Sequence, residues 1–241
     1  MTFTNLPDGT KIYWAPVPKR SKPSVLLIVG ELLVTIGILL GLFAVYEVFI
    51  HDEVVASAQT NLAKEFGHES KQQFIYPSKA KHLGDIFAKM YVPRFGSEWT
   101  RLVAPGTRWH PVLNEIGVGH YNNSAMPGEV GNFAVAGHRG GFGGAFKNIH
   151  RLVAGDRVYV ETNDHWYVYK YLQTKIVDPS DVSVIKPVPP ELVGAHAGAS
   201  YMTMTSCTPI FVNTQRIVVW LELEKTIPVA DGAPKELEVV N

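Results

Sequence analysis

The sequence predicts an all-β domain of short strands, closed into a barrel or sandwich and carried behind a single N-terminal membrane-spanning helix. Three observations predict it. Residues 25–50 form one apolar run interrupted only by Glu31 and Glu47. From Ile86 onward, short apolar or alternating runs recur between Gly, Pro, Asn and Asp, the texture of strands joined by turns. That region, roughly 140 residues long, is large enough to bury a single core.

Composition sets the outer limits. A chain of 241 residues with 46% hydrophobic and 18% charged residues is that of a folded protein, which excludes disordered, collagen-like and disulfide-scaffold classes. Its 22 basic residues balance its 22 acidic ones, which removes the electrostatic footprint of a nucleic-acid binder. Cys207 is the only cysteine, so no intrachain disulfide can form.

Residues 1–24 read as a cytoplasmic tail, carrying Lys11, Lys19, Arg20 and Lys22 against the single acid Asp8. The run 25–50 follows as a transmembrane anchor, since a helix of that length spans a hydrocarbon core of roughly 30 Å. His51, Asp52 and Glu53 lie beyond it. The positive-inside bias places the N-terminus in the cytoplasm and everything after residue 52 outside the cell membrane, in a single pass. Ala56-Ser57-Ala58 resembles a cleavage site, but the apolar run exceeds a signal-peptide h-region and the alanines lie too far past its end, so the anchor stays uncleaved. Glu31 sits deep in the span, either facing a helix partner or snorkelling towards the inner leaflet.

Residues 51–85 are polar and read as a helical stalk that becomes irregular and holds the domain away from the bilayer. Strands are predicted at 88–92, 107–109, 132–136, 157–161, 165–177, 201–207 and 216–225, with Thr162-Asn163-Asp164 as a hairpin turn. Residues 145–152 and 190–195 read as short helices. The connection 178–199, marked by Pro179, Pro187, Pro189 and Pro190, is long enough to be functional or disordered. Residues 227–241 carry Pro228, Gly232 and Pro234 and read as a frayed tail.

Outside the membrane, a thiol that contributes only packing is exposed to oxidants, so the lone cysteine points to chemistry. Period-two alternation puts Tyr201, Thr203, Thr205 and Cys207 on one face of their strand and Met202, Met204 and Ser206 on the other. The methionines suit a core, which leaves the thiol facing a polar groove. A buried cysteine acting as a small hydrophobe is the alternative.

Arg216 opens the next alternating strand, nine residues on, and an antiparallel return would bring it near Cys207. A guanidinium there could stabilise a thiolate, orient a carbonyl or hold an oxyanion. His138 ends an apolar strand and precedes the glycine-rich stretch 139–144, a placement suited to proton transfer. Singly, each reads as an ordinary strand-end residue. Together they supply the nucleophile, the proton donor and acceptor, and the fixed positive charge that cysteine acyl transfer requires. Neither His-Glu-x-x-His nor Cys-x-x-Cys spacing occurs, so no metal and no cofactor is expected.

The arrangement resembles the sortases, the membrane-anchored cysteine transpeptidases of Gram-positive cell surfaces. Their pattern Thr-Leu-x-Thr-Cys, with an Arg nine residues later, is similar to Thr203-Met204-Thr205-Ser206-Cys207 and Arg216. His138 lies in Ala-Gly-His-Arg at the family's distance before the cysteine. The stretch GHYNNSAMPGEVGNFAVAGHR and the anchor's Gly30-Glu31-Leu32-Leu33 resemble the class E sortases of actinobacteria. The resemblance runs from residue 25 to about residue 225.

It implies an eight-stranded sortase-type β-barrel with short helices, its catalytic domain at 86–226, and Cys207, His138 and Arg216 at one end of a groove. It implies attack of Cys207 on the Thr carbonyl of a C-terminal sorting signal on a surface protein. His138 would protonate the departing Gly amine, and Arg216 would orient the signal and stabilise the oxyanion. An amine, from a lipid-linked peptidoglycan precursor or a pilin lysine, would resolve the thioacyl enzyme.

Two departures matter. Met204 for Leu conserves volume. Ser206 replaces a Thr whose backbone or hydroxyl contributes to the oxyanion hole; it keeps the hydroxyl but lacks the methyl that restricts χ1. Thr205 and Ser206 are therefore expected substrate contacts. Class E enzymes use a tyrosine to accept Ala where others accept Pro, giving a Leu-Ala-x-Thr-Gly preference, and Tyr121 matches it; a rim aromatic is the alternative reading. His120 beside it is a further candidate. The connection 178–199 corresponds to the loop that covers the signal, with Val182, Val184 and Ile185 as its apolar wall.

Two other enzyme classes fit less well. L,D-transpeptidases place His and Gly directly before their cysteine, where this chain has Thr205 and Ser206. Cell-wall cysteine peptidases place theirs at a helix N-terminus ahead of the histidine. A non-enzymatic membrane-tethered barrel is opposed by the intact trio.

Overall fold

The computed structural model describes residues 2–14, 23–67 and 72–238. The chain divides after Val45 into two units. In the first, β1 (Thr2–Asn5) and β2 (Lys11–Trp14) form an antiparallel hairpin, and α1 (Val25–Val45) is a helix of 21 residues with mean hydropathy 2.6 and no buried residue. By length and composition α1 can cross a membrane. Lys19, Arg20 and Lys22, which were expected to orient it, lie outside the described residues.

The second unit opens with a π-helical turn, Tyr46–His51, and α2 (Asp52–Lys64). Asp52 and Glu53 in the first turn of α2 and Lys64 in its last complement the helix dipole. The expected helix therefore forms, but it is not a free stalk. Asp52, Gln59 and Ala63 recur on one face and are buried against the barrel.

The barrel comprises β3 (Ala88–Tyr91), β4 (Thr100–Pro105), β5 (Gly117–His120), β6 (Gly131–Gly137), β7 (Arg157–Glu161), β8 (His165–Val177), β9 (Ser200–Thr208) and β10 (Gln215–Pro228). These eight strands close in the order β10-β8-β7-β3-β4-β5-β6-β9. The pairs β4/β5 and β6/β9 are parallel and the others antiparallel. Closure leaves no sheet edge, as the pattern of many short strands requires. Met90, Val118, Phe133, Met202, Met204 and Val219 fill the interior. A second layer lies outside, where Val184 and Leu192 of the connection 178–199 cover Tyr201, Val218 and Trp220. The indole of Trp220 donates to the Val184 carbonyl at 3.1 Å, so this long connection is fastened rather than loose.

Strands β7 and β8 have their predicted limits, and Thr162 N–H donates to the His165 carbonyl at 2.9 Å across the expected turn. The strand expected at 107–109 is absent. The chain there enters the segment Trp109–Ile116, which is extended at His110 and π-helical beyond it, and β4 and β5 flank it. In place of a helix at 145–152 there are tight turns and a single 3₁₀ turn, Ile149–Arg151, because Phe146, Ile149 and Leu152 enter the core at a spacing of three. Residues 190–195 are turns as well. Up to residue 238 the C-terminal segment is docked where fraying was expected, with Val229 and Leu237 packed against Tyr159, Trp166 and Val168; residues 239–241 lie outside the described residues.

Candidate active site

The site grows out of three adjacent strands. On β9, Met202 and Met204 point into the barrel and are fully buried, which turns Thr205 and the half-buried Cys207 outward. Arg216 of β10 is the direct antiparallel partner of Cys207, and opposed residues project on the same side of a sheet. On the other flank, β6 runs parallel to β9 with Ala136 beside Thr205. The Ser206 hydroxyl donates to the Gly137 carbonyl at 2.7 Å, so continuing that register sets His138 next to Cys207. Strand register thus places the three predicted positions at one end of β6, β9 and β10.

The imidazole of His138 is held on several sides. Its Nε2 lies 2.8 Å from Oδ1 of Asn114, and the Asn114 amide nitrogen lies 3.1 Å from Nε2 of His110. With a carbonyl oxygen as acceptor, Nε2 carries the proton and Nδ1 is the nitrogen left for exchange. Trp109 and Phe142 flank the ring at centroid distances of 6.4 and 5.5 Å. Burial pulls the His138 pKa below its ordinary value, and the charge of Asp52 opposes that shift.

Two arginines lie beside the strand that carries Cys207. Arg216 uses Nη1 to bind the carbonyl of Asn213, in the loop that joins β9 to β10, at 3.2 Å and that of Gln215, the first residue of β10, at 3.0 Å. Arg139, next in sequence to His138, reaches across to the hydroxyl of Thr208, the residue after the cysteine. Sequence reasoning did not single out Arg139, although the Ala-Gly-His-Arg motif contains it. Asn114 was also missed, because no motif surrounds it.

The expected substrate contacts separate into two groups. The Tyr121 hydroxyl lies 3.0 Å from Oγ1 of Thr205, so it reaches the outward face of β9 that also carries Cys207. Ser206 differs from expectation, since its hydroxyl is buried against Gly137 on the side of β9 opposite to Cys207. His120 is turned into the core at 1% exposure, stacked 5.3 Å from Phe133, with Nε2 3.0 Å from the Ala125 carbonyl. That residue is a structural histidine, and burial lowers its pKa. Val184 anchors the connection beneath Trp220 and Ile185 packs beside it, so of the three expected wall residues Val182, at 71% exposure, is the accessible one.

A cavity of about 530 Å³ lies between α2 and the loops at 95–99 and 143–148, lined in part by Asp52 and Arg101. It touches neither Cys207 nor Arg216, so the reactive centre is placed by strand register and hydrogen bonding instead. Among the described residues no cluster of three His, Cys, Asp or Glu is arranged to hold a metal ion.

Residues 90–224 match the family described as Sortase domain. Sortase SrtE2 of Streptomyces coelicolor is 35% identical over 234 residues, which covers 91% of this chain and 91% of that protein. The structure of sortase E from Streptomyces avermitilis superposes with a TM-score of 0.59 at 40% identity, covering 65% of this chain and 99% of that one. The crystal structure of Sortase E1 from Streptomyces coelicolor with a tripeptide in the active site gives 0.58 at 35% identity, over 63% of this chain and 96% of that one.

Proposed function

Because the chain belongs to the sortase family of cysteine transpeptidases, we propose that it is a membrane-anchored class E enzyme that cleaves a Leu-Ala-x-Thr-Gly-type signal between Thr and Gly. The acyl group passes to an amine of a cell-wall precursor. The observation that carries this reading is the direct pairing of Cys207 with Arg216, with His138 immediately past the end of the neighbouring strand β6.

In the first half-reaction the Cys207 thiolate attacks the Thr carbonyl carbon, forming a C–S bond and a tetrahedral oxyanion. The C–N bond then breaks, and His138 gives its proton to the departing Gly amine. A thioester remains. In the second half-reaction the acceptor amine attacks that carbonyl, loses a proton to His138, and expels the thiolate as the new amide forms. Arg216 orients the signal and stabilises the oxyanion in both halves.

Tyr121 is the residue we assign to the Ala of the signal, supported by its contact with Thr205 on the groove face. The apolar helix α1 supports the anchor, and on this reading the positive-inside bias puts the N-terminus in the cytoplasm and the barrel outside. A peptidoglycan precursor is the preferred acceptor; a pilin lysine would use the same chemistry.

The test incubates the full chain in detergent with a fluorogenic Leu-Ala-x-Thr-Gly peptide and an amine, beside Cys207→Ala. Thr–Gly cleavage with amine-dependent ligation is expected for the parent alone. Cleavage that survives in the alanine variant would sink the mechanism.

A further inference from the structure

The glycine-rich loop after His138 is gripped by α2. Asp52 Oδ2 accepts the Gly141 N–H at 3.1 Å. The amide of Gln59 donates to two carbonyls at once, that of Asn114 at 3.1 Å and that of Phe142 at 3.2 Å. These two residues bracket the catalytic imidazole, Asn114 through its hydrogen bond to Nε2 and Phe142 through its ring. Gly143 adopts φ +77°, and a Cβ there would lie 2.9 Å from the backbone nitrogen of Ala56, so the loop and the helix meet backbone to backbone. The ring of His51, just before α2, lies 6.4 Å from that of Phe142.

We propose that α2, the helix next in the chain after the membrane-spanning segment, is a positioning element of the active site. Asp52 and Gln59 hold the glycine loop and Asn114 so that His138 is presented to Cys207. This inference rests on His138 as the proton-transfer residue.

The composition of the buried face argues for it. A helix that only docks does so most cheaply with apolar side chains, because burying an amide or a carboxylate carries a desolvation cost that only good partners repay. Here Asp52 and Gln59 are 8% and 1% exposed; Asp52 Oδ2 and the Gln59 amide nitrogen bond residues 114, 141 and 142, while Asp52 Oδ1 and Gln59 Oε1 are buried without a partner among the described residues, so the helix keeps two polar groups whose burial is only partly offset. Asp52 also places a negative charge where it favours the imidazolium form of His138 against burial. Several other charged or titratable groups surround His138. His51 and Glu53 flank Asp52, His110 and Glu115 lie in the segment Trp109–Ile116, Arg139 follows in the loop, and Cys207 and Arg216 are on the facing strands.

The test uses the full chain in detergent, measuring kcat and KM against pH with the peptide and amine, and following the His138 imidazole by NMR. Asp52→Asn is expected to lower kcat roughly tenfold with little change in KM. The pH limb governed by His138, and its NMR titration, should both move to lower pH, and Asp52→Glu should restore part of each. Gln59→Leu keeps an apolar contact to the barrel while removing both donors, and should lower kcat as well. Ser57→Ala, exposed on the same helix, should match the parent. An inactive His138→Ala enzyme beside Asp52→Asn and Gln59→Leu enzymes with parental kcat and titration would overturn this inference alone. An active His138→Ala enzyme would overturn the assignment of the histidine and this inference with it.

Discussion

Asn114 stands between two histidines, with Oδ1 2.8 Å from Nε2 of His138 and Nδ2 3.1 Å from Nε2 of His110. The side chain therefore fixes both the tautomer and the tilt of the ring to which we assign proton exchange with substrate. Loss of one such orienting hydrogen bond is worth about 1–2 kcal/mol, so Asn114→Ala should lower kcat roughly tenfold. Asn114→Asp puts a negative charge against the ring and should move the His138 limb of the pH profile upward, opposite in sign to Asp52→Asn. Steady-state kinetics across pH would show both effects, and an unmoved limb in Asn114→Asp would refute the contact.

Ser206 tests whether a hydroxyl beside the cysteine serves substrate or scaffold. Its bond to the Gly137 carbonyl joins β9 to β6 just before His138. Ser206→Ala should cost about 1 kcal/mol of stability through the unpaired buried carbonyl, and Ser206→Thr should keep the bond. Chemical denaturation measures this directly. A parental unfolding midpoint combined with a raised KM would instead place the hydroxyl on the substrate.

Tyr121 should govern the second position of the signal. Removing its ring in Tyr121→Ala is expected to lower the preference for Ala over Pro there, measured as the ratio of kcat/KM for matched peptides. Tyr121→Phe should retain the ring's bulk and lose only the contact to Thr205. If both variants keep the parental ratio, the tyrosine is a rim residue.

How legible these features were depended on sequence distance and on burial pattern. The face of β9 could be read because its residues alternate, and the opposition of Cys207 and Arg216 followed from a short return to the next strand. Strand β4 could not, since it is buried on both faces and shows no period of two. In β5, Gly119 approaches the Gly106 carbonyl so closely that a Cβ would lie 2.2 Å from it, and the glycines this demands hide the strand. The partners of His138 were invisible for another reason. Asn114 lies 24 residues from it, and Asp52 is 89 residues from Gly141, separations that only the closed barrel brings together.

Arg216 separates charge from shape. A lysine keeps the charge but loses the planar fork that can hold a carbonyl or an oxyanion with two donors. Arg216→Lys is expected to lower kcat/KM by a factor on the order of 100, in line with the loss of an oxyanion donor. Full activity in that variant would show that no bidentate contact is made.

His120 makes a prediction about stability and none about turnover. It is buried against Phe133 and Phe87, and burial holds its folded pKa below the ordinary 6.5. The unfolded chain therefore binds a proton there more readily than the folded one. Stability from this group is complete above about pH 6.5 and is lost as pH falls through the lower folded value. His138, with its pKa shifted the same way, adds to the slope. The urea midpoint of the unit 46–241 should fall between pH 7.5 and pH 5.5. His120→Gln should start lower, having lost its ring packing, but fall less over that interval. An equal fall in both proteins would mean that His120 is not a source of the pH dependence.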